Sequence, residues 1–412
     1  MSALADDALP AARLPRLLAG LRLDRAVSLD EHLARLGPLP RVDLVAAVEA
    51  SGLRGRGGGG FPTGAKLRAV AARRSRPVVV ANATEAEPVC AKDEVLLRHV
   101  PHLVLDGAVA AAAALGAREA IVVVGADAAD AHAEVARAIE ARAQRRLEPE
   151  VSLRLAVAPP SFVAGEETAL VSFLSGRAAK PTFKPPLPFE RGVGGGPTLV
   201  QNAETLAHVA LISRFGPDWF RAIGTADDPG SALLTVSGAI RRPGVYEIAL
   251  GTRLVDLLAE AGGVTATPQA FLLGGYFGTW VDAARAQRLE LSAEALRPVG
   301  ASLGAGAVVV LPASACGLTE TARIARWLAH ESAGQCGPCV HGLAAVAGAL
   351  DRLAACDGKD MRPQLARWLR QIEGRGACRH PDGSVRLVAS ALDVFEREVR
   401  QHLRGSCTGN VR

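Results

Sequence analysis

The chain has 412 residues, of which 49% are hydrophobic and 22% charged, with a formal net charge of +5; that length calls for two to four domains, and that composition describes an ordinary globular protein with a sizeable core. Aromatics at 4% leave few stacking platforms, and the basic residues are scattered, which argues against a nucleic-acid binder. No apolar stretch reads as a membrane-spanning helix, and the N-terminus, with Asp6 and Asp7 and no long apolar run, does not read as a secretory signal.

Residues 1–40 are rich in Leu, Arg and Pro and read as an arm leading into the first domain. Over 41–225 the chain alternates strands and helices. A helix at 41–53 precedes a glycine-rich loop, and apolar 77–82 suits a buried strand. A helix at 103–115 leads to a second strand at 120–124, and a polar helix at 127–144 leads to a third at 151–157. Such alternation predicts a parallel sheet with right-handed crossovers. From about 231 the pattern changes to short strands at 233–236 and 244–248, a helix at 254–261, and strands at 271–273 and 308–311, a small α+β unit over 231–312. Residues 318–412 are helical, about four amphipathic segments broken by Gly and Cys, which predicts a bundle.

Four consecutive glycines, 57–60, follow Arg56. Without Cβ atoms their backbone N–H groups can approach an anion closely. Arg54, Arg56 and Lys66 add cationic donors, so a phosphate or pyrophosphate is the expected guest. A flexible linker is the plain alternative, and the spacing is not the Rossmann fingerprint, since no strand directly precedes the loop. Glu85 and Glu87, then Glu166 and Glu167, stand in loops after predicted strands, where open parallel sheets bind ligands. Carboxylates there can hold ribose hydroxyls or a carboxamide, although Glu166 and Glu167 taken alone also suit an ordinary helix start. Lysine occurs only at 66, 92, 180, 184 and 359. Lys66 and Lys184 are expected at a ligand, and Lys92 and Lys180 as solvated surface charges. Phe61 and Phe162 are the aromatics best placed beside a ring system, with ordinary core packing as the alternative. Seven cysteines argue for metal or redox use rather than disulfides. Cys336-x-x-Cys339 with Cys378 on a later hairpin fits thiolate ligation of iron–sulfur or zinc, while Cys90, Cys316, Cys356 and Cys407 are dispersed.

The string Gly55-Arg-Gly-Gly-Gly-Gly-Phe-Pro-Thr-Gly-Ala-Lys66 closely resembles the FMN-binding loop of the complex I flavoprotein family. Asn82-Ala-Thr-Glu-Ala-Glu-Pro88 with Lys92-Asp93, Gly165-Glu-Glu-Thr-Ala-Leu170, Lys184-Pro-Pro-Leu-Pro188, Pro197-Thr-Leu-Val-Gln-Asn-Ala-Glu-Thr205 and Glu331-Ser-Ala-Gly-Gln-Cys-Gly-Pro-Cys339 continue the resemblance in the same order. The resemblance implies an α/β fold: a Rossmann-like parallel-sheet FMN domain, then a β-grasp domain of the soluble-ligand-binding (SLBB) type, then a C-terminal helical bundle. It implies a flavin oxidoreductase subunit that takes hydride from NADH onto FMN and passes single electrons to an iron–sulfur centre. The implied FMN and NADH contacts are Gly55, Arg56, Gly57, Gly58, Gly60, Phe61, Lys66, Asn82, Glu85, Glu87, Phe162, Gly165, Glu166, Glu167, Lys184, Gln201, Asn202 and Thr205. Among them Glu87 and Glu167 are expected to face NADH, and Asn82, Glu85 and Glu166 the flavin.

The implied metal ligands are Cys336, Cys339 and Cys378. The family carries a further Cys where this chain has Ala333, so a four-Cys cluster cannot form from the motif. Cys407, His341, His380, Cys356 or a non-protein group are the candidate fourth ligands; a three-iron cluster, zinc or no metal are the alternatives. The chain also departs from the family at Thr84, Phe162 and Leu187, which bears on nucleotide preference. A ferredoxin-like or other iron–sulfur partner subunit is implied, in a bacterial cytoplasmic location reaching a membrane complex only through partners. A non-catalytic structural or assembly subunit that keeps the fold is the competing reading.

Overall fold

The computed structural model describes residues 14–22, 24–407 and 409. The first helix, α1 (Leu29–Leu36), starts at a capping box in which Ser28 and Glu31 satisfy each other's backbone N–H groups. It is followed by α2 (Leu44–Ser51), α3 (Thr63–Ala71) and the strand β1 (Val78–Ala83). Next come α4 (Lys92–His99), α5 (Pro101–Leu115), β2 (Glu119–Gly125), α6 (Ala129–Gln144), β3 (Ser152–Ala158), α7 (Glu167–Leu174) and β4 (Thr198–Asn202). The unit closes with α8 (Ala203–Arg221), broken at Gly216 ahead of Pro217.

The four strands lie in the order β3-β2-β1-β4, all parallel, with Val80 opposite both Ile121 and Val200. Helices cover both faces. Val79, Val80 and Ala81 of β1 and the run from Ala120 to Val124 of β2 are therefore completely buried, the continuous apolar pattern of a doubly covered parallel sheet. Each such Val contributes roughly 1.5–3 kcal/mol by leaving water. The edge strand β3 is only half-buried. The strand-and-helix reading of the sequence does not reach β4 and α8, because 197–205 reads as a motif and its five-residue strand is too short to show a period.

The arm is not a free lead-in over the residues described. Leu17 is fully buried, and the N–H groups of Arg16, Leu17 and Leu18 all donate to the Glu247 carboxylate. His32 of α1 contacts Asp106 of α5 at 2.7 Å, and Asp106 also receives Arg142 (2.6 Å) and Arg214 (2.5 Å). Residues 1–13, the rest of the expected arm, lie outside the described residues.

A second, five-stranded sheet holds β5 (Ser231–Gly238), β6 (Gly244–Ala249), β7 (Pro268–Leu273), β8 (Thr279–Asp282) and β9 (Ala307–Pro312) in the order β6-β5-β9-β7-β8. Only β5 and β9 pair in parallel. The helices α9 (Leu254–Glu260), α10 (Ala283–Ala286) and α11 (Ala293–Leu296) accompany it, with a core built on Val236, Leu257, Phe271 and Val310. The remaining helices are α12 (Gly317–His330), α13 (Leu343–Ala354), α14 (Arg362–Ile372), α15 (His380–Val394) and α16 (Glu396–His402). They bury a core of Leu328, Leu350, Leu365, Leu387 and Phe395, and α15 packs on β8, where Trp280 N–H donates to Ser390 Oγ at 3.0 Å. No single described helix is long and apolar enough to cross a membrane. α4 and α5 pass that test only as a pair bent by 97°. α5 is buried from Pro101 to Ala112, as a core helix is.

Candidate functional site

The glycine loop is a closed turn. Gly55 N–H donates to Phe61 O and Thr63 N–H to Leu53 O, both at 2.9 Å. Residues 56–60 project between these bonds beside the start of α8, where Arg56 N–H donates to Thr205 Oγ1 (2.9 Å). Gly58 has φ 103°, a left-handed conformation that side chains resist. Across from it lies the backbone of Gly304, 3.7 Å from where a Gly58 Cβ would stand. The Arg56 side chain does not line the loop. Its guanidinium turns inward toward Glu204 and Asp228, burial lowers its pKa, and its Nε and Nη2 are buried without a hydrogen-bond partner. Phe61 is exposed.

The strand ends are knotted together by polar side chains. Asn82 of β1 donates its amide to Gly165 O (2.8 Å) and accepts from Thr84 Oγ1 (2.7 Å). Glu166 caps α7, accepting from Thr168 N–H (2.7 Å) and Ala169 N–H (3.1 Å). Glu167 lies between Lys66 (3.0 Å) and Lys184 (2.7 Å); Lys184 also reaches Glu166 (2.9 Å), and Lys66 donates to Val200 O of β4 (2.9 Å). Burial opposes ionisation of Glu167, but the two ammonium groups outweigh it and hold the carboxyl below its ordinary value. Asn202 caps α8 and donates to Asp93 Oδ2 (2.5 Å), while Gln201 is buried with its Nε2 lacking a partner.

Glu85 and Glu87 behave differently. Glu85 Oε2 accepts from the N–H groups of Asp93 and Glu94, both at 3.0 Å, at the start of α4. Burial, then the charge of Asp93, pushes its carboxyl up to about 7. Glu87 Oε2 accepts from Tyr276 N–H (3.1 Å), a group of the second sheet's unit, and burial pushes Glu87 up to about 7 as well. The other oxygen of each, Oε1, is buried with no partner. Phe162 points away from this knot. Its ring packs edge-on against Phe277 (4.9 Å), Trp327 (5.0 Å) and His380 (5.7 Å), and its N–H donates to Glu331 Oε2 (3.1 Å).

Lys180 is exposed, but Lys92 is not the surface charge the sequence suggests: it is 2% exposed, bonded to Asp93 (2.9 Å) and Glu204 (3.0 Å). A lysine that close to two carboxylates can be buried because its charge is compensated.

Cys336 and Cys339 flank the start of a π-helical turn, Pro338–Gly342. Their thiols are close enough to feel each other's charge, and Cys378 is close enough to feel Cys336, Glu166 and Lys184. Backbone N–H groups of Ala377, Gly334 and His380 are directed at the sulfurs of Cys336, Cys339 and Cys378 respectively. Of the other expected ligands, His380 gives Nε2 to Leu328 O (2.7 Å), Cys407 lies with Cys316 and His402, and Cys356 feels Cys407. His341 stays on the exposed side of the π-helical turn.

Three family models match the chain: the Nuo51 FMN-binding domain over residues 48–211, the SLBB domain over 233–275, and the NADH-ubiquinone oxidoreductase-F iron–sulfur binding region over 313–402. The second NADH-quinone oxidoreductase F subunit of Rhizobium meliloti (strain 1021) is 33% identical over 382 residues, covering 89% of this chain and 90% of that one. The chain belongs to the NADH-quinone oxidoreductase F-subunit family. The family's protein from Mycobacterium tuberculosis (strain ATCC 25618 / H37Rv) is 34% identical over 385 residues, covering 89% and 86%. Among solved structures, the NAD+-reducing NiFe hydrogenase in its H2-reduced state superimposes with a TM-score of 0.84 at 32% identity, over 95% of this chain and 67% of that one.

As a member of the F-subunit family, the chain has the donor set an FMN site needs. It presents a glycine turn, a helix start, three buried polar atoms without partners (on Glu85, Glu87 and Gln201), and an ordered lysine–glutamate network. Three thiols with directed N–H groups likewise suit a thiolate-held cluster at three corners, with buried Ala333 where the family motif has its further Cys. Sequence reasoning gives the second sheet's unit a packing role around the flavin without singling out the residues that do it. Tyr276 and the turn at Gly304–Gly306 wall the site, and Cys90 gives its thiol to Ala305 O (3.1 Å). The signal was present in the paired glycines 274–275 and 304/306.

Proposed function

We propose that this chain is the NADH-oxidising flavoprotein subunit of a multi-subunit electron-transfer complex, with FMN as resident cofactor and an iron–sulfur protein as the immediate electron acceptor. The observation that carries this reading is the convergence at one sheet end of the glycine turn, Asn82, the Lys66–Glu167–Lys184–Glu166 network and Asn202. FMN, when bound, supplies the conversion of a two-electron hydride into the single electrons that iron–sulfur centres accept. The chain's own residues bind and orient. Backbone N–H groups of 57–60 and the start of α8 suit a phosphate, and Asn82 and Asn202 fix polar edges. Glu167, kept ionised by two lysines, is an acceptor for ribose hydroxyls. Glu87, titrating near neutrality, can donate or accept at a carboxamide. The loops around Tyr276 and Ala305 exclude water from one side.

Cys336, Cys339 and Cys378 would hold an iron–sulfur cluster at three points, with His341 or a non-protein group for the fourth. The complex works on the cytoplasmic side of a bacterial membrane, reached through partners.

Acid release followed by mass analysis tests the cofactor, and anaerobic NADH tests the substrate. FMN released at one per chain and flavin absorbance bleached within minutes are expected. FAD, or no flavin, overturns the proposal. Bleaching by dithionite but not by NADH favours the non-catalytic subunit that Ala333, Thr84 and Leu187 suggest.

A further inference from the structure

Among the described residues, one group of three Cys and His side chains brings its ligand atoms within 4.8 Å of one another: Cys316, His402 and Cys407. None of them belongs to the Cys336–Cys339–Cys378 set. Cys316 caps α12, His402 ends α16, and Cys407 lies on the tail beyond. From these residues we propose a second metal site, a structural zinc centre that fastens the C-terminal tail to the helical bundle.

Distances and second contacts support it. His402 Nε2 and Glu398 Oε2 each lie 3.4 Å from Cys316 Sγ. Bond lengths of about 2.3 Å to sulfur and about 2.1 Å to nitrogen or oxygen, at a tetrahedral angle, require ligand atoms about 3.6 Å apart. These two edges need to open by only a fraction of an ångström, and the edges to Cys407 lie within 4.8 Å. His402 Nδ1 is 2.8 Å from Leu353 O, so the proton sits on Nδ1 and the lone pair of Nε2 faces the sulfur, the arrangement by which a carbonyl orients a metal-bound imidazole. Glu398 Oε2 is held in place by Leu318 N–H (3.1 Å), and its Oε1 by the Gln269 amide. Two sulfurs and one nitrogen lie within 4.8 Å of one another, and Glu398 Oε2, 3.4 Å from Cys316 Sγ, is the nearest carboxylate oxygen for a fourth position, which it reaches by a side-chain shift.

Burial sharpens the point. Cys316, Glu398 and His402 are 6%, 4% and 1% exposed. Glu398 already accepts N–H groups; what the bundle leaves for a cation are the two sulfurs and the Nε2 lone pair of His402, converging where little water reaches. A disulfide between Cys316 and Cys407 would use only the sulfurs and leave His402 and Glu398 facing an apolar bond. The tail is built for close approach: a Cβ on Gly409 would lie 2.6 Å from Cys316 N and 2.7 Å from Cys316 Cβ, so only glycine lets the chain pass over the site. Zinc binding by Cys316 and Cys407 displaces two thiol protons to solvent; no electrons move.

The test uses the full-length chain, anaerobically purified, with Co2+ as the spectroscopic probe and zinc as the competitor. In wild type and in the triple variant C336S/C339S/C378S, one Co2+ per chain should give tetrahedral visible bands with sulfur-to-cobalt charge transfer, bleached by zinc. Cys407→Ser sits on the tail and spares the bundle core; it should halve the charge-transfer intensity and weaken cobalt binding at least tenfold. His402→Gln should remove the tetrahedral bands. Carboxypeptidase should digest the tail only after chelation of zinc. Cobalt that follows Cys336, Cys339 and Cys378 but ignores Cys407 overturns the proposal, as does a Cys316–Cys407 disulfide in the mass spectrum of the native protein.

Discussion

Replacing Lys92 with methionine isolates the energetics of the charge buried between the first two domains. The side-chain volume is nearly kept, so no cavity follows, and the aliphatic stem can still pack near Gly306. What disappears is an ammonium 2.9 Å from Asp93 and 3.0 Å from Glu204. At an effective dielectric near 20, each contact is worth roughly 5–6 kcal/mol of attraction before desolvation is counted. Two carboxylates then remain buried. Glu204 keeps Leu233 N–H (2.8 Å) and Asp93 keeps the Asn202 amide (2.5 Å), so part of their need is met. Breaking such a set costs about 3–5 kcal/mol at neutral pH.

The pH dependence has a fixed sign. In the wild type, burial raises and Lys92 lowers the Glu204 carboxyl, leaving it well below its ordinary value. Stability from Glu204 is therefore present above its unfolded value and lost only in strong acid. In Lys92→Met the balance reverses, and a carboxyl takes up a proton in the folded state. The variant's extra stability is then present below the unfolded value and lost as pH rises through the raised one, by up to about 1.4 kcal/mol per pH unit. Urea unfolding followed by circular dichroism at pH 5 and pH 8 checks both parts. A deficit under about 1 kcal/mol, or one equal at the two pH values, refutes the reasoning.

Gly58→Val should cut the flavin-to-protein absorbance ratio about tenfold through backbone strain at φ 103°, whereas Gly59→Ala, where a Cβ meets nothing within 4 Å, should keep it. Equal losses in both would point to crowding instead. Glu167→Gln should leave FMN in place but raise the NADH concentration for half-maximal flavin reduction by about tenfold, as expected for a charged hydrogen bond of about 1.5–3 kcal/mol; anaerobic stopped-flow titration reads it. Glu87→Gln should flatten the pH profile of flavin-free stability. The wild-type carboxyl, raised from 4.5 to about 7, adds stability below 4.5 that is lost through 7, about 3 kcal/mol in all; superimposable melting profiles for variant and wild type from pH 4.5 to 8 would exclude this role.

Much of the fold is legible in the sequence because β1 and β2 are covered on both faces and so are apolar without interruption, and because glycine, proline and charge mark their ends. The motif residues Asn82, Glu166, Glu167, Lys66 and Lys184 do meet, since they sit at ends of parallel strands and at helix starts. Tyr276 and Ala305 are legible only indirectly, through the glycines beside them: they act through backbone groups, which leave no signature in their own residue types, and they come from a unit nearly two hundred residues later in the chain. Lys92 escapes a sequence reading because a buried lysine looks like a surface one until both its carboxylates are located. Cys407, one of several candidate fourth ligands for Cys336, Cys339 and Cys378, lies instead with Cys316 and His402, because its reach depends on how α16 returns to α12.

The segment from Phe162 to Glu167 is clamped at both ends. Phe162 is wedged beside the Trp327 indole, and five residues on Glu167 is gripped by the two lysines. So short a span transmits displacement instead of absorbing it. A nucleotide that re-seats Glu167 must therefore tug on an indole in the bundle, and the chain carries its own optical gauge: Trp327 emission should report occupancy of a pocket it does not touch.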